Sequence, residues 1–197
     1  MTRVRTDRLP PANRVIRAAG VDDAPFVRKR GAAVTVLAAL CANTRFDSLL
    51  ATRVRAFGWG ATEAIAELVR GSKFWPQLHV VLLDGIAVGG LNVVDLPALS
   101  AAVERPCIAV MRRAPDLEAM ERAIRAYPRA EQRLALLRAA GPVIEQGRWV
   151  FQVQGGAESL AVEALERLTD TGNVPEPLRL AHRIGSGWVL GASGRRA

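Results

Sequence analysis

Three acidic side chains occur where they could bind a metal ion together. Asp22 ends a short apolar segment, Asp84 ends a later and nearly continuous apolar run, and Glu63 lies at the start of a helical pattern between them. Two carboxylates about 4 Å apart repel by roughly 4 kcal/mol at an effective dielectric of about 20, so both stay ionised only beside a cation. Oxygen ligands suit Mg²⁺ or Mn²⁺. The three acids therefore predict a metal centre for phosphodiester hydrolysis.

Asp23 is the alternative to Asp22 at the end of the first strand. Successive side chains of a strand point to opposite faces of the sheet, so only one of these two acids faces the site unless the strand has already ended before Pro25. We assign Asp22 to the site.

The elements that must position these acids follow from the hydrophobic pattern. Val-, Leu- and Thr-rich segments predict strands, and apolar residues spaced three or four apart predict helices. Short connections between the first three strands favour an antiparallel meander. Predicted strands cover residues 15–21, 32–41, 49–57, 78–83, 106–111 and 143–153, and predicted helices cover residues 60–71, 95–104, 115–126, 129–139, 157–168 and 175–184.

This order predicts an α/β chain with a ribonuclease H-like fold. The expected architecture is a central mixed sheet flanked by helices, in which three antiparallel strands are followed by alternating helices and parallel strands. The strands that end at Asp22 and Asp84 are neighbours in the middle of such a sheet, so their carboxylates should meet.

Composition narrows the class of partner and the compartment. The 197 residues carry a net charge of +8 and a sequence pI of about 11.0, which favours an anionic partner such as nucleic acid, although the Arg-rich and Ala-rich usage also fits a compositional bias. The first residues lead us to expect no secretory signal, and the longest apolar run, residues 32–42, is too short to span a bilayer. Two cysteines, Cys41 and Cys107, do not suggest a disulfide scaffold, so we expect a cytoplasmic chain without a membrane partner. We expect residues 1–14 to be a flexible basic arm and residues 15–197 to be one domain.

Several motifs resemble those of the endonuclease dU family, which is related to endonuclease V. They are residues 20–26 (GVDDAPF), 61–63 (ATE), 83–85 (LDG), 89–95 (GGLNVVD) and 175–182 (PEPLRLAH), in the family order. The resemblance implies an endonuclease acting on DNA with deaminated bases, deoxyuridine and also deoxyinosine, with RNA as an alternative target. It implies that Asp22, Glu63 and Asp84 bind Mg²⁺ or Mn²⁺ and that His182 assists them.

Further residues could contact the nucleic acid. A glycine-rich loop follows Asp84, and its glycines would let the backbone approach a base or sugar closely. Arg112 and Arg113 follow the next buried strand and could contact phosphate, although surface solvation accounts for them equally well. The residues assigned to nucleic-acid binding are Gly85, Gly89, Gly90, Asn92, Arg112, Arg113 and Arg179.

One segment departs from the family pattern and keeps two other functions open. Residues 57–60 read FGWG where acidic residues are expected. The change favours, as an alternative, a non-catalytic nucleic-acid-binding module on the same fold. A small-molecule enzyme is a third possibility, which the basic charge argues against. Trp59 could stack on an extruded base or anchor its loop.

Overall fold

The predicted strand segments build one main sheet. The computed structural model describes residues 8–193. Within that range, none of the helices is both long and apolar enough to cross a membrane. The strands are β1 Arg17–Asp23, β2 Ala33–Ala42, β3 Arg45–Arg55, β4 Val80–Asp84, β5 Ala87–Val88, β6 Asn92–Val93, β7 Cys107–Met111, β8 Ile144–Gln146 and β9 Trp149–Gln154. The helices are α1 Ala61–Arg70, α2 Leu96–Val103, α3 Leu117–Arg125, α4 Ala130–Ala139, α5 Glu158–Arg167 and α6 Glu176–Leu190, with a short 3₁₀ turn at Trp75–Gln77.

The order of the strands places β1 and β4 side by side inside the sheet. Their sequence across it is β3-β2-β1-β4-β7-β9-β8. β2 pairs antiparallel with β1 and β3, whereas β4 pairs parallel with β1 and β7. The antiparallel meander and the adjacency of the first and fourth strands are therefore confirmed. The chain is a mixed α/β protein with a central mixed sheet flanked by helices.

The far edge of the sheet differs from the prediction. The segment predicted as one strand over residues 143–153 is a hairpin of β8 and β9, and β9 pairs antiparallel with β7. The hairpin turns at Gly147, whose φ of 60° is a conformation that glycine adopts without strain. The prediction that only parallel strands follow the first three is therefore wrong at this edge, because the turn at Gly147 divides the predicted segment into two antiparallel strands.

The core is divided between the two faces of the sheet. Val21 and Leu83 point to the face covered by α1, α2 and α4, which we call the α1 face. Val80 and Leu82 point to the other face, covered by α5 and by α6, which we call the α6 face. Side chains alternate along a strand, so the residues that follow Val21 and Leu83 belong to the α6 face.

The last helix lies directly on β1. A side chain at Gly20 would occupy the space of the Pro177 and Leu178 backbone, and one at Gly185 would come within 3.1 Å of Ala24. The two glycines therefore allow α6 to approach the strand closely. The helix continues to Leu190, beyond its predicted end at residue 184, and it covers the end of β1.

The N-terminal arm predicted over residues 1–14 lies partly outside the described residues. Its described part is attached to α5, because the Arg167 side chain donates hydrogen bonds to the carbonyl oxygens of Pro10 (2.6 Å), Pro11 (3.3 Å) and Arg14 (2.7 Å). Residues 8–14 therefore have a defined anchor on the domain surface.

Candidate metal centre

Two carboxylates and one imidazole converge where β1 and β4 end. Asp22, Asp84 and His182 each offer one ligand atom, and these atoms lie within 4.8 Å of one another. His182 Nδ1 lies 2.9 Å from Asp22 Oδ2. Asp22 is only 5% exposed, whereas Asp84 and His182 are partly exposed. The cluster thus combines one buried ligand with two that a substrate can reach.

The register of the sheet explains this convergence. Val21 is paired with Leu83 between the parallel strands β1 and β4, so the next residues, Asp22 and Asp84, lie side by side on the α6 face. α6 brings His182 over them. The structure therefore brings together three of the four predicted catalytic residues.

The electrostatics of the cluster suit a bound cation. Burial, and then the charge of Asp22, raise the pKa of Asp84 to about 6, while Arg112 and His182 act in the opposite direction. Arg112 Nη2 lies 3.8 Å from Asp84 Oδ2. A divalent cation would offset the repulsion between the two carboxylates, and carboxylate oxygens are ligands that Mg²⁺ and Mn²⁺ accept. The residues present therefore fit a hard metal ion.

Asp23 serves the opposite face of the sheet. Its Oδ2 accepts a 2.7 Å hydrogen bond from the Gly89 amide on the α1 face. Burial, and then the charge of Asp22, raise the pKa of Asp23 to about 6, against the lowering effect of the Gly89 hydrogen bond. This geometry agrees with the assignment of Asp22, and not Asp23, to the metal cluster.

Glu63 lies outside the cluster. It is an exposed residue in the first turn of α1, and it is not part of the group of ligand atoms that the described residues bring together. The physical reason is that α1 packs on the other face of the sheet through Ala61, Ile65 and Val69. The structure therefore does not bring Glu63 together with the two carboxylates: the third group beside them is His182, and the role of Glu63 as a metal ligand stays a prediction.

The glycine-rich loop forms a small hairpin of β5 and β6. A side chain at Gly90 would lie 2.5 Å from the Phe57 ring, and one at Gly89 would touch Val34 at 3.4 Å. At Gly85 the surrounding space is open. Packing inside the protein accounts for Gly89 and Gly90, and Gly85 is the position of the three that leaves room for a ligand.

Asn92 belongs to the interior of the protein. It is 1% exposed; its Oδ1 accepts a hydrogen bond from the Ala61 amide (3.3 Å), and its Nδ2 donates to the Arg55 carbonyl (3.5 Å). Both ends of the side-chain amide are occupied and the residue is buried, so the structure does not place Asn92 on a surface that nucleic acid can reach. The side chain instead joins the hairpin to the start of α1.

The predicted phosphate-binding arginines differ in their surroundings. Arg112 and Arg113 are exposed just beyond the end of β7, and Arg112 is next to Asp84. Arg179 is paired with Glu176, with 2.9 Å between its Nε and Oε2 of the acid. Arg112 is therefore the predicted basic residue that lies beside the cluster, whereas Arg179 stabilises the first turn of α6.

Arg133 is a buried contact that the sequence analysis missed. It is 3% exposed on α4, and its guanidinium donates to the carbonyl oxygens of Phe57 (3.1 Å), Gly58 (2.5 Å) and Leu91. Arginine is rarely buried, so residue type alone predicts a solvated position. One signal was present: Arg133 lies three residues after Ala130 and four before Leu137, on the apolar face of its helix.

Trp59 lies in the segment that departs from the family pattern. The residue is 39% exposed, and the guanidinium groups of Arg129 and Arg133 lie 5.1 and 5.6 Å from the centre of its ring. The ring thus lies against two basic residues, one just before α4 and one within it, and the residue keeps an exposed surface.

Known proteins similar to this chain share most of its length. The family model described as endonuclease dU matches residues 14–189. Relatives include a UPF0215 protein of Methanothermobacter thermautotrophicus, 37% identical over 90% of this chain and 90% of that protein. Another is a UPF0215 protein of Deinococcus radiodurans, 36% identical over 91% of this chain and 92% of that protein.

Solved structures of other proteins are also similar to the structure of this chain. A protein of unknown function from Archaeoglobus fulgidus superposes with a TM-score of 0.83 at 30% identity, over 88% of this chain and 98% of that chain. The catalytic domain of human endonuclease V has a TM-score of 0.55 at 16% identity, over 94% of this chain and 91% of its own. Ciona intestinalis endonuclease V, bound to DNA containing an inosine, has a TM-score of 0.54 at 13% identity, over 86% and 84%. At such identity the endonuclease V likeness shows the fold alone, but the family match spans nearly the whole sequence, and this chain belongs to the endonuclease dU family.

Proposed function

We propose that this protein is a metal-dependent endonuclease that hydrolyses phosphodiester bonds in DNA carrying deaminated bases, and that it acts in DNA repair. The observation that carries the proposal is the convergence of Asp22, Asp84 and His182 at the carboxyl ends of β1 and β4. Membership of the endonuclease dU family favours deoxyuridine as the lesion. The endonuclease V complex with inosine-containing DNA makes deoxyinosine the second lesion to test.

We also assign the chain to the ribonuclease H-like fold. The support is the central β1 with antiparallel β2 on one side and parallel β4 on the other, together with the likeness to endonuclease V. Sites in open sheets with parallel strands lie at the carboxyl ends of those strands. Asp22 and Asp84 occupy that position.

Asp22 and Asp84 would hold Mg²⁺ or Mn²⁺. When bound, such a cation activates water and stabilises negative charge on the phosphate and the leaving oxygen. Asp22 also accepts a hydrogen bond at Oδ2 if His182 Nδ1 carries a proton, and this bond orients the imidazole towards the cluster. Arg112 provides positive charge next to Asp84, where a phosphate would approach.

A second candidate is a DNA-binding protein that does not cut. The observation in its favour is the position of Glu63, which is exposed and outside the cluster. With two carboxylates instead of three, the site offers fewer anionic ligands to a cation, and its affinity for the metal should be lower. This candidate predicts salt-sensitive binding of DNA without cleavage under any divalent ion.

The deciding experiment uses labelled single- and double-stranded DNA with one deoxyuridine or one deoxyinosine, beside unmodified DNA and matched RNA. Each is incubated with Mg²⁺, Mn²⁺ or EDTA and the wild-type protein, D84N or D170N. Asp170 is an exposed acid between α5 and α6, so D170N controls for the loss of one charge. We expect metal-dependent nicking near the lesion by wild type and D170N, and none by D84N.

Binding of DNA by all three proteins, with no nicking by any, would instead establish the second candidate. Nicking by D84N at the wild-type rate would remove the assigned cluster from the reaction. Equal cutting of modified and unmodified DNA would retain a nuclease but overturn its specificity for deaminated bases.

A further inference from the structure

We propose that Arg133 is a positioning residue, which holds residues 57–60 and the hairpin at residues 85–93 together as one substrate-binding unit beside the metal centre. We call these two segments the clamped loops. The identity of the substrate, DNA, rests on the proposed function. The positioning role rests on the contacts of Arg133 itself.

One guanidinium connects three parts of the chain. Its Nη1 donates to the carbonyl of Leu91 in the hairpin, and its Nη2 donates to the carbonyls of Phe57 and Gly58 before α1. Its Nε donates to the carbonyl of Pro128, two residues before α4 begins, over 3.2 Å. A guanidinium is planar and carries five N–H donors in a fixed fork, so it sets the relative positions of the carbonyl groups that it binds.

The clamped loops are also joined to each other and to the metal cluster. The Phe57 amide donates to the Gly89 carbonyl over 2.8 Å, and the Gly89 amide donates to Asp23. Asp23 directly follows Asp22, and Gly85 directly follows Asp84. The hairpin is therefore anchored next to two of the proposed metal ligands, although it contacts neither ligand side chain through these bonds.

Burial of the positively charged Arg133 side chain is energetically unfavourable, so its presence here has to be explained by what it does for the position of the loops. Burial, and then the charges of Arg129 and Arg30, lower the pKa of Arg133. Within residues 8–193, the ion pairs of the structure do not include Arg133. An apolar side chain would pack α4 against the core without the cost of burying a charge. The specific gain from arginine is the fixed position of the carbonyl groups that it binds.

The unit that Arg133 holds also presents a surface for a nucleic-acid strand. A groove of about 520 Å³ is lined by Arg53, Arg55, Trp59 and Gly60, among others. The groove combines positive charge with a partly exposed aromatic ring, the two features that bind a nucleic-acid backbone and an unpaired base. Because Trp59 belongs to the clamped loops, Arg133 would set the position of this surface relative to Asp22 and Asp84.

The test compares R133K and R133M with the wild-type protein and with R138M as the matched control. Arg138 is an exposed residue of the same helix, so R138M removes one arginine without touching the loops. Lysine keeps the positive charge but cannot bind four separate carbonyl groups in a fixed plane, as the Arg133 guanidinium does. Hydrogen exchange at the amides of Phe57, Ala61 and Gly89 measures the order of the loops, and Mn²⁺ titration measures the metal cluster. KM and kcat are measured on the lesion-containing DNA.

For both R133K and R133M we expect exchange at these amides to accelerate by at least about tenfold, since each lost charge-assisted hydrogen bond is worth at least that factor. KM should rise by a similar factor of about ten while kcat stays within about threefold, because the substrate contacts are lost and the metal ligands are not. Mn²⁺ affinity should not change. R138M should behave as wild type in every assay.

Wild-type behaviour of R133K would overturn the proposal, because it would show that only charge matters at this position. Failure of both R133K and R133M to fold would also overturn it, since Arg133 would then belong to the folding core. Failure of the proposed nuclease function is a separate result. If the wild-type protein does not cut DNA, KM and kcat cannot be measured. Hydrogen exchange and Mn²⁺ titration then still decide the role of Arg133.

Discussion

The metal cluster and the clamped loops lie at the same end of the sheet, where β1, β3 and β4 end, but they are built in different ways. The cluster on the α6 face consists of side-chain donors, Asp22, Asp84 and His182. The clamped loops on the α1 face are held by hydrogen bonds to backbone groups, which Arg133 and Asp23 provide. Adjacent acids in one strand serve the two sides. Under the two proposals, the α6 face would perform the chemistry and the α1 face would position the substrate.

The largest expected effect is on the cluster. D22N should lower kcat by at least about a thousandfold, or about 4 kcal/mol in activation free energy, because it removes one of the two carboxylates proposed to hold the cation. DNA affinity should stay within about threefold, and the Gly89 amide should keep its protection from hydrogen exchange. Single-turnover cleavage, filter binding and hydrogen exchange measure these quantities. Loss of Gly89 protection in D22N would show that the two regions are not separate.

The next effect is on the stability of the hairpin. G90A places a Cβ 2.5 Å from the Phe57 ring at a φ of 93°, whereas G85A places one in open space at a φ of 79°. Left-handed strain of about 1–2 kcal/mol applies to both variants. The ring contact should add about 1–3 kcal/mol in G90A alone. Urea unfolding measures the difference, and equal free energies of unfolding for the two variants would mean that the ring moves aside freely.

The metal cluster and the clamped loops also differ in how far the sequence predicts them. Asp22 and Asp84 are predictable because each ends an apolar segment and because the topology makes their strands neighbours. His182 is predictable only through its motif, since a single histidine on a helix carries no signal of its own. The position of Glu63 outside the cluster was not predictable, because a helical pattern does not say which face of the sheet the helix covers.

The contacts of the clamped loops depend on packing between segments far apart in the chain. Arg133 lies 75 residues from Gly58, and its burial is set by the loops that surround it. Asn92 has a residue type typical of ligand contacts, yet its amide caps α1. The local pattern gives only one signal, the place of Arg133 on the apolar face of α4, and it does not identify the partners of either residue, because these are backbone carbonyl and amide groups that every residue has.

A smaller effect tests how Asp23 holds the hairpin. D23A should lower the free energy of unfolding by about 1–2 kcal/mol, because the Gly89 amide loses its acceptor in a largely buried place. D23N keeps an oxygen that can accept this hydrogen bond and removes the repulsion with Asp22, so it should be at least as stable as wild type at pH 7. Chemical unfolding of the two variants measures the effect. Equal destabilisation of both would show that the charge of Asp23, and not its acceptor oxygen, stabilises the hairpin.

The smallest effect concerns Arg112, the basic residue that lies next to the cluster. If its guanidinium binds a phosphate there, R112Q should reduce by about one the slope of the logarithm of DNA affinity against the logarithm of salt concentration. Mn²⁺ affinity should stay the same or rise, because a positive charge 3.8 Å from Asp84 disfavours a second cation. R113Q is the matched neighbour, since Arg113 is exposed on the same loop. A change of slope in R113Q alone would assign the phosphate contact to Arg113. The positive charge of Arg112 would then act on Asp84 and not on the substrate.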